Sequence, residues 1–430
     1  MSRTWWLALQ MMKRLWFRAT LFAIMAVVTA VVGIAIGSYI PDRLSDLIGA
    51  KAVDAILTIL ASSMLAVTTF SLSTLVSATN AAANSGTPRA ISLILQDRTA
   101  QTALSTFLGA FLFSLVGLIA LNTGLYGGGG RLVLFAATLA VILLIVTMLL
   151  RWIDHLAGLG NVSETIRRAA EKAAGGMVRY AESPALGGRI LARVPEGALA
   201  LHHDQIGYLR HLDMGHLQRL AEELEAKIHV VQRPGEFCSP ARPVLYVEAA
   251  AGLGDEPESA RDALCRAFTI GDSRSYDQDP LFGLTVLSEI ASRALSPGIN
   301  DPGTAIDVVA QLTRLLSEAA ISPHPASTTD EGAAEPEYPR VFVRAIEPSA
   351  LVEVAFLAIS RDGAGMIEVV TAVLTALDAL TATSDPSLSS AARIMAQTVY
   401  ERGMARLAFE DDRARLRAIR DEAGEGWHRR

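Results

Sequence analysis

Cysteine is nearly absent from this chain. Cys238 and Cys265 are the only two in 430 residues and show no CxxC spacing, so there is neither a disulfide framework nor a thiolate zinc motif to build on. A reducing compartment suits such a chain. Charge is also scarce, at 19% of residues against the quarter or so usual for a soluble protein. The net charge of −6 offers no basic surface for nucleic acid. No G-x-S-x-G, HExxH, Rossmann or kinase signature occurs, so neither an enzyme activity nor a cofactor is expected. Histidines 202, 203, 211 and 216 crowd together in sequence, but neighbours on a strand point to opposite faces, and no metal is expected there.

Half of the chain is hydrophobic, and that excess is concentrated in the first third. The expected fold is therefore an α-helical membrane domain followed by an α+β cytoplasmic domain. Residues 1–20 read as an amphipathic segment that lies on the inner leaflet. Residues 21–154 read as four transmembrane helices of about 20 apolar residues each. These run from about Leu21 to Ile40, Ala52 to Ala78, Ala103 to Leu121 and Leu132 to Leu150. The first is longer than a signal-peptide core and is read as a retained anchor. Arg3, Lys13, Arg14, Arg18, Arg89, Arg98 and Arg151 fall on one side of these spans, and Arg43, Lys51 and Arg131 on the other. The positive-inside rule then places both termini and the C-terminal domain in the cytoplasm of a bacterial inner membrane.

The second span carries an unusual stripe. Thr58, Ser62, Thr69, Ser73 and Ser77 recur every three to four residues, with Ala66 in the gap and Asn80 continuing the line. At about 100° per residue they share one helix face. Two readings stand open. Small and hydroxylic residues are common where transmembrane helices pack together. The same stripe can instead line a wet permeation path in an oligomer, with Asp54 at its outer end as a ring of negative charge. Asp54 is equally explained by the dipole of its own helix. Four spans are too few to enclose a wide path alone, so the pore reading implies self-association into a cyclic homo-oligomer in the lipid bilayer.

Beyond the membrane domain, residues 155–186 read as a linker helix, started by Asn161 and Glu164 as a capping box. Residues 187–250 alternate short β-like runs with Gly and Pro and read as a small β-barrel or sandwich. Residues 251–420 read as a helical subdomain with a mobile insert at 322–339, and 421–430 as a disordered tail. Its most unusual string runs from Arg293 to Pro302, RALSPGINDP. Pro297-Gly298 dictates a turn, and Asn300 or Asp301 can cap a helix that Pro302 begins. The rival reading is a ligand or interface site formed where Asp277, Asp279, Arg293, Ser296, Asn300 and Asp301 converge.

NSGTPRAISLILQDRTAQ, the GEF turn, SYDQDPLFG and RALSPGINDPGTA together resemble a bacterial family of predicted inner-membrane proteins catalogued as a domain of unknown function. The resemblance runs from about Leu21 to about Glu422, and SPGINDP is its specific part. It implies an inner-membrane protein with a C-terminal cytoplasmic domain, and it brings no catalytic residues. The functional expectation is a homo-oligomeric ion channel or channel-like permeation protein regulated by its cytoplasmic domain. The alternative is a membrane-anchored sensor or scaffold whose cytoplasmic domain binds a ligand or protein.

Overall fold

The computed structural model describes residues 50–85, 87–90, 97–123, 128–158, 161–249, 257–321 and 336–422, with scattered positions between 17 and 35. Much of the first expected span, Leu21 to Ile40, the insert at 322–339 up to residue 335, and most of the tail lie outside these residues. The chain divides into two compact bodies, a first drawn from Leu7–Asn84 and Pro88–Glu164 and a second that joins Ser85–Thr87 to everything from Thr165 onward.

The first body contains α1 (Ala50–Ser85), α2 (Arg98–Asn122) and α3 (Gly128–Gly158). Each contains a segment long and apolar enough to cross a membrane: Lys51–Ala81, Thr99–Asn122 and Gly129–Leu156. The described residues thus hold three such helices, where four were expected. At 1.5 Å per residue, the 31-residue segment of α1 is about 46 Å long, more than a hydrocarbon core of about 30 Å needs. Asp97 starts α2 by accepting from the Ala100 amide at 2.8 Å. The three helices pack through two apolar clusters, one around Met64, Leu75, Phe107 and Trp152, the other around Val53, Leu57, Phe113 and Leu134. Gly117 keeps one approach close, since a Cβ there would meet Leu57 and Leu134 at 3.3 Å.

The second body opens with α4 (Val162–Glu182), whose Asn161 cap accepts from the Ser163 amide at 3.0 Å. This helix is more than a linker. Ile166, Ala169, Ala170, Ala173, Met177 and Tyr180 bury one face of it. It presses on α7 (Pro280–Ala294) so tightly that a Cβ on Gly283 would stand 2.5 Å from the Ala173 methyl.

Among the described residues, eight strands follow: β1 (Gly188–Ile190), β2 (Leu199–His202), β3 (Gly207–Leu212), β4 (Lys227–Val230), β5 (Phe237–Cys238), β6 (Pro243–Glu248), β7 (Phe268–Gly271) and β8 (Tyr338–Val343). They form an open five-stranded sheet, β1-β8-β4-β6-β2, and a three-stranded sheet, β5-β3-β7. The β-rich part is therefore not the self-contained barrel or sandwich expected at 187–250. Strands β7 and β8 come from later in the chain, and β8 lies parallel between β1 and β4, pairing Val341 with Ile228 and Val343 with Val230. Both sheets and α5 (Met214–Glu223) contribute to one apolar core that includes Leu209, Leu217, Ile228, Leu245, Phe268 and Val341.

After α6 (Pro257–Cys265), the helical part comprises α7, α8 (Pro302–Ile321), α9 (Pro348–Asp362), α10 (Ile367–Thr381), α11 (Pro386–Arg406) and α12 (Glu410–Glu422). The sequence reads one helix from Pro386 to Arg417. The structure breaks it, because Leu407 leaves the helical conformation and buries its side chain, while Arg413 Nε donates to its carbonyl at 2.7 Å.

Candidate functional site

The hydroxyl stripe of α1 occupies one face. Thr58, Ser62, Ala66, Thr69, Ser73, Ser77 and Asn80 are all exposed. The residues that pack against the rest of the body are Val53, Leu57, Met64, Ser71, Leu75 and Ala78. At about 100° per residue, the centres of these two sets lie about 180° apart around the helix. Among the described residues, the stripe is thus the face of α1 that the core leaves uncovered. The hydroxyls used for packing inside the body are a different set: Ser71, Ser105, Thr106, Ser114 and Thr138 are the buried ones among the described residues. On either side of the stripe stand exposed bulky residues, Ile59 and Phe70 on one flank and Leu65 and Leu72 on the other.

The stripe hydroxyls are compatible with an apolar surrounding. Ser62 donates to the Thr58 carbonyl at 3.0 Å and Thr69 to the Leu65 carbonyl at 2.9 Å, so their protons are satisfied within the helix. Their oxygen lone pairs then face outward. Asp54 sits at the edge of the stripe, half-buried, and accepts from Asn122 Nδ2 at 3.4 Å.

In the second body, the six residues proposed to converge do not form one site. They divide between the two ends of α7, which are about 20 Å apart at helical rise. At the N-terminal end, Asp279 is a structural group. It is almost fully buried, receives Arg274 Nε at 2.7 Å and Nη2 at 2.9 Å, and caps α7 through the Phe282 amide at 3.1 Å. Burial pushes its carboxyl up, and the two bonds from Arg274 pull against that rise. Gly235 of the GEF turn, at φ +97°, lies directly against this carboxylate. Arg233, two residues earlier, donates to the carbonyls of Pro184 (3.0 Å) and Arg344 and lies over the Tyr180 ring. Burial lowers its pKa from the usual arginine value. Asp277, which accepts from Ser275 Oγ at 2.9 Å, lines a separate cavity of about 300 Å³ with Gln278, Met214 and Tyr338.

At the C-terminal end of α7, Arg293, Ser296 and Asn300 line a cleft of about 1200 Å³. Ser296 Oγ donates to the Arg293 carbonyl at 2.6 Å, and Asn300 adopts φ +52° to turn the chain. Asp301 caps α8 with 3.1 Å and 2.6 Å bonds from the Thr304 amide and hydroxyl, which hold its carboxyl below the usual range. The turn-and-cap account of SPGINDP therefore describes Asn300 and Asp301, while Arg293, Ser296 and Asn300 also belong to a cavity wall. Sequence reading missed the other side of that cleft: Arg361, Asp362, Arg402 and Arg406. The string Ser360-Arg361-Asp362-Gly363 reads as a turn, but its link to two arginines on α11 is visible only in three dimensions.

Three of the clustered histidines make separate local bonds. His202 Nδ1 pairs with the Pro240 carbonyl at 2.9 Å and His216 Nε2 with the Ala263 carbonyl at 3.0 Å, while His203 Nδ1 accepts from the Gln205 amide at 3.0 Å.

A family model described as "Predicted membrane protein (DUF2254)" matches residues 12–379. Among similar proteins are the uncharacterized protein Mb1321c of Mycobacterium bovis and the uncharacterized protein Rv1290c of Mycobacterium tuberculosis. Each is 29% identical over 226 residues, covering 51% of this chain and 42% of the relative's length. The matched part of the chain thus spans less than half of those proteins. No solved structure matches.

Proposed function

The chain belongs to the DUF2254 family of predicted membrane proteins, and from that premise we propose that it is a homo-oligomeric ion channel, or channel-like permeation protein, of the bacterial inner membrane. The α1 helices of several subunits line the path, and the C-terminal body is the cytoplasmic regulatory part.

One observation carries this reading: the hydroxyl stripe lies on the face of α1 turned away from its own core. Packing within the described body is met by other hydroxyls, so the stripe requires a different neighbour. Lipid is a poor one. Bulky apolar residues are worth about 0.3–0.6 kcal/mol each at the centre of a membrane helix. Giving Thr58, Ser62, Ala66, Thr69, Ser73, Ser77 and Asn80 to small or polar groups forgoes about 2–4 kcal/mol that a lipid-facing stripe would gather. Water, or a second copy of the helix, accounts for the choice better. The apolar flanks formed by Ile59, Phe70, Leu65 and Leu72 supply surfaces through which neighbouring subunits meet around a ring. The outward lone pairs of back-bonded hydroxyls then supply a string of oxygen acceptors along the path.

The test is conductance. Purified full-length protein in planar bilayers is expected to give discrete currents. Replacing Ser62, Thr69 and Ser73 together by Leu is expected to lower them at least several-fold. A silent wild type, or unchanged currents in the triple variant, counts against conduction and leaves the reading of a membrane-anchored module whose C-terminal body binds a ligand or protein.

A further inference from the structure

Three helices of the second body, α7, α9 and α11, end around the same cleft of about 1200 Å³. Each brings an arginine in its last turn, Arg293, Arg361 and Arg406, and Arg402 joins them one turn earlier on α11. A guanidinium at a helix C-terminus is ordinary dipole compensation, so the charges must be counted before a ligand is invoked. Among the described residues of the wall, four guanidiniums face two carboxylates, Glu289 and Asp362. Three C-termini contribute about −0.5 each, and the N-terminus of α10, which begins beside Met366 of the same wall, returns about +0.5. The sum is about +1, so compensation alone leaves positive charge over.

Both carboxylates are already engaged. Asp362 holds Arg361 through Nε at 2.7 Å and Nη2 at 2.9 Å and also accepts from Ser292. These bonds, Arg361 first, keep its carboxyl below the usual range, so it is ionised near neutral pH. Glu289 accepts from the Thr87 hydroxyl at 2.8 Å. The spare donors belong to α11. Arg402 is anchored by Nη1 to the Leu357 carbonyl (2.9 Å) and to Ser360 Oγ (2.7 Å), which fixes its plane and leaves Nε and Nη2 without a hydrogen bond among the described residues. Arg406 is exposed and makes no hydrogen bond or ion pair among the described residues. The N-cap position of α10 is Met366, which offers no side-chain acceptor to the first-turn amides.

We propose that this cleft binds an organic phosphate. A pre-oriented guanidinium beside a mobile one matches a phosphate's several oxygens. The volume far exceeds that of a bare phosphate, and Leu295, Pro297 and Met366 offer an apolar wall for the organic part. A soluble phosphorylated metabolite and the headgroup of an anionic lipid share this chemistry. The inference stands apart from the conduction reading, because it concerns binding alone.

The test uses the full chain in phosphatidylcholine nanodiscs, titrated with adenosine monophosphate by calorimetry at fixed ionic strength and repeated in discs containing phosphatidylglycerol. Saturable binding is expected, weakened about tenfold or more by Arg406→Gln and by Arg402→Lys. Arg406→Gln is expected to keep the wild-type melting temperature, because the side chain is exposed. Thr69→Leu is expected to leave binding unchanged, so a failed channel assay does not touch this result. Binding unaffected by phosphatidylglycerol assigns the site to a soluble ligand. Competition by that lipid in the wild type, lost in Arg406→Gln, assigns it to a headgroup. Absence of both saturation and lipid dependence, or equal affinities in the wild type and both arginine variants, overturns the proposal.

Discussion

Gly235 lies so close to the carboxylate of Asp279 that a Cβ at position 235 would stand 2.2 Å from Oδ2. The contact joins the GEF turn to the start of α7, and the backbone there has φ +97°, a conformation that side-chain-bearing residues rarely adopt. Gly235→Ala therefore meets two penalties, the backbone strain and the displacement of a buried carboxylate. Together these are expected to destabilise the second body by about 3 kcal/mol. Thermal or denaturant unfolding of the full-length protein in detergent, followed by a probe in the second body, checks this.

Asp279 and Arg274 form a buried pair, and their separation has an asymmetric cost. Asp279→Ala leaves Arg274 without its partner and uncaps α7, with an expected loss of about 3–5 kcal/mol. Asp279→Asn keeps an oxygen for the Phe282 amide and is expected to lose less. If the two variants melt together, the ion pair rather than the cap is the dominant contribution.

Ser71 and Ser73 stand two residues apart on α1 and face opposite surroundings, since Ser71 is fully buried and Ser73 exposed. Ser71→Leu forces extra volume into a packed interface and is expected to cost about 1–3 kcal/mol. Ser73→Leu is expected to change stability by less than about 0.5 kcal/mol while reducing conduction. Thermal-shift measurements on both, in the same detergent, separate a structural position from one that acts on an outside neighbour.

Burial pushes the Cys238 thiol up to about 11. An unfolded cysteine titrates near 8.5. Between these values the folded thiol stays neutral while the unfolded one ionises, so the raised folded pKa takes stability away as pH climbs from about 8.5 to about 11. Below pH 8 both forms are protonated and the full contribution is present. Native protein is expected to resist alkylation at Cys238 at pH 8 and to react on unfolding, and Cys238→Ala is expected to remove this thiol's share of the loss above pH 8.5. Rapid native labelling of Cys238 at pH 8 contradicts its burial.

The membrane-type helices were legible because length and apolarity are local properties, and the stripe because a period of 3.6 needs no partner to be seen. Asn161 and Asp301 were legible as caps for the same reason. Strand β8 was not. Its YPRVFV run pairs with β4 and β1, which lie before the intervening helices, and non-local pairing leaves no mark within a short window. Asp279 looked like a ligand residue because Gly235, which lies against it, sits in a separate loop, and its pairing with Arg274 five residues earlier depends on how their shared loop folds. Arg402 and Arg406 carry no local mark in the sequence, since only the fold shows that three helices end beside them.

The central claim is that the exposed face of α1 meets water inside an assembly. Single cysteines placed from Thr58 to Asn80, in a background where Cys238 and Cys265 are replaced by Ala, test it directly with a membrane-impermeant thiol reagent on protein in bilayers. Reaction is predicted at positions 58, 62, 66, 69, 73, 77 and 80 through the full depth of the helix, with protection at 57, 64, 71 and 75. Reaction confined to the two ends of α1, with the middle of the stripe silent, contradicts the account.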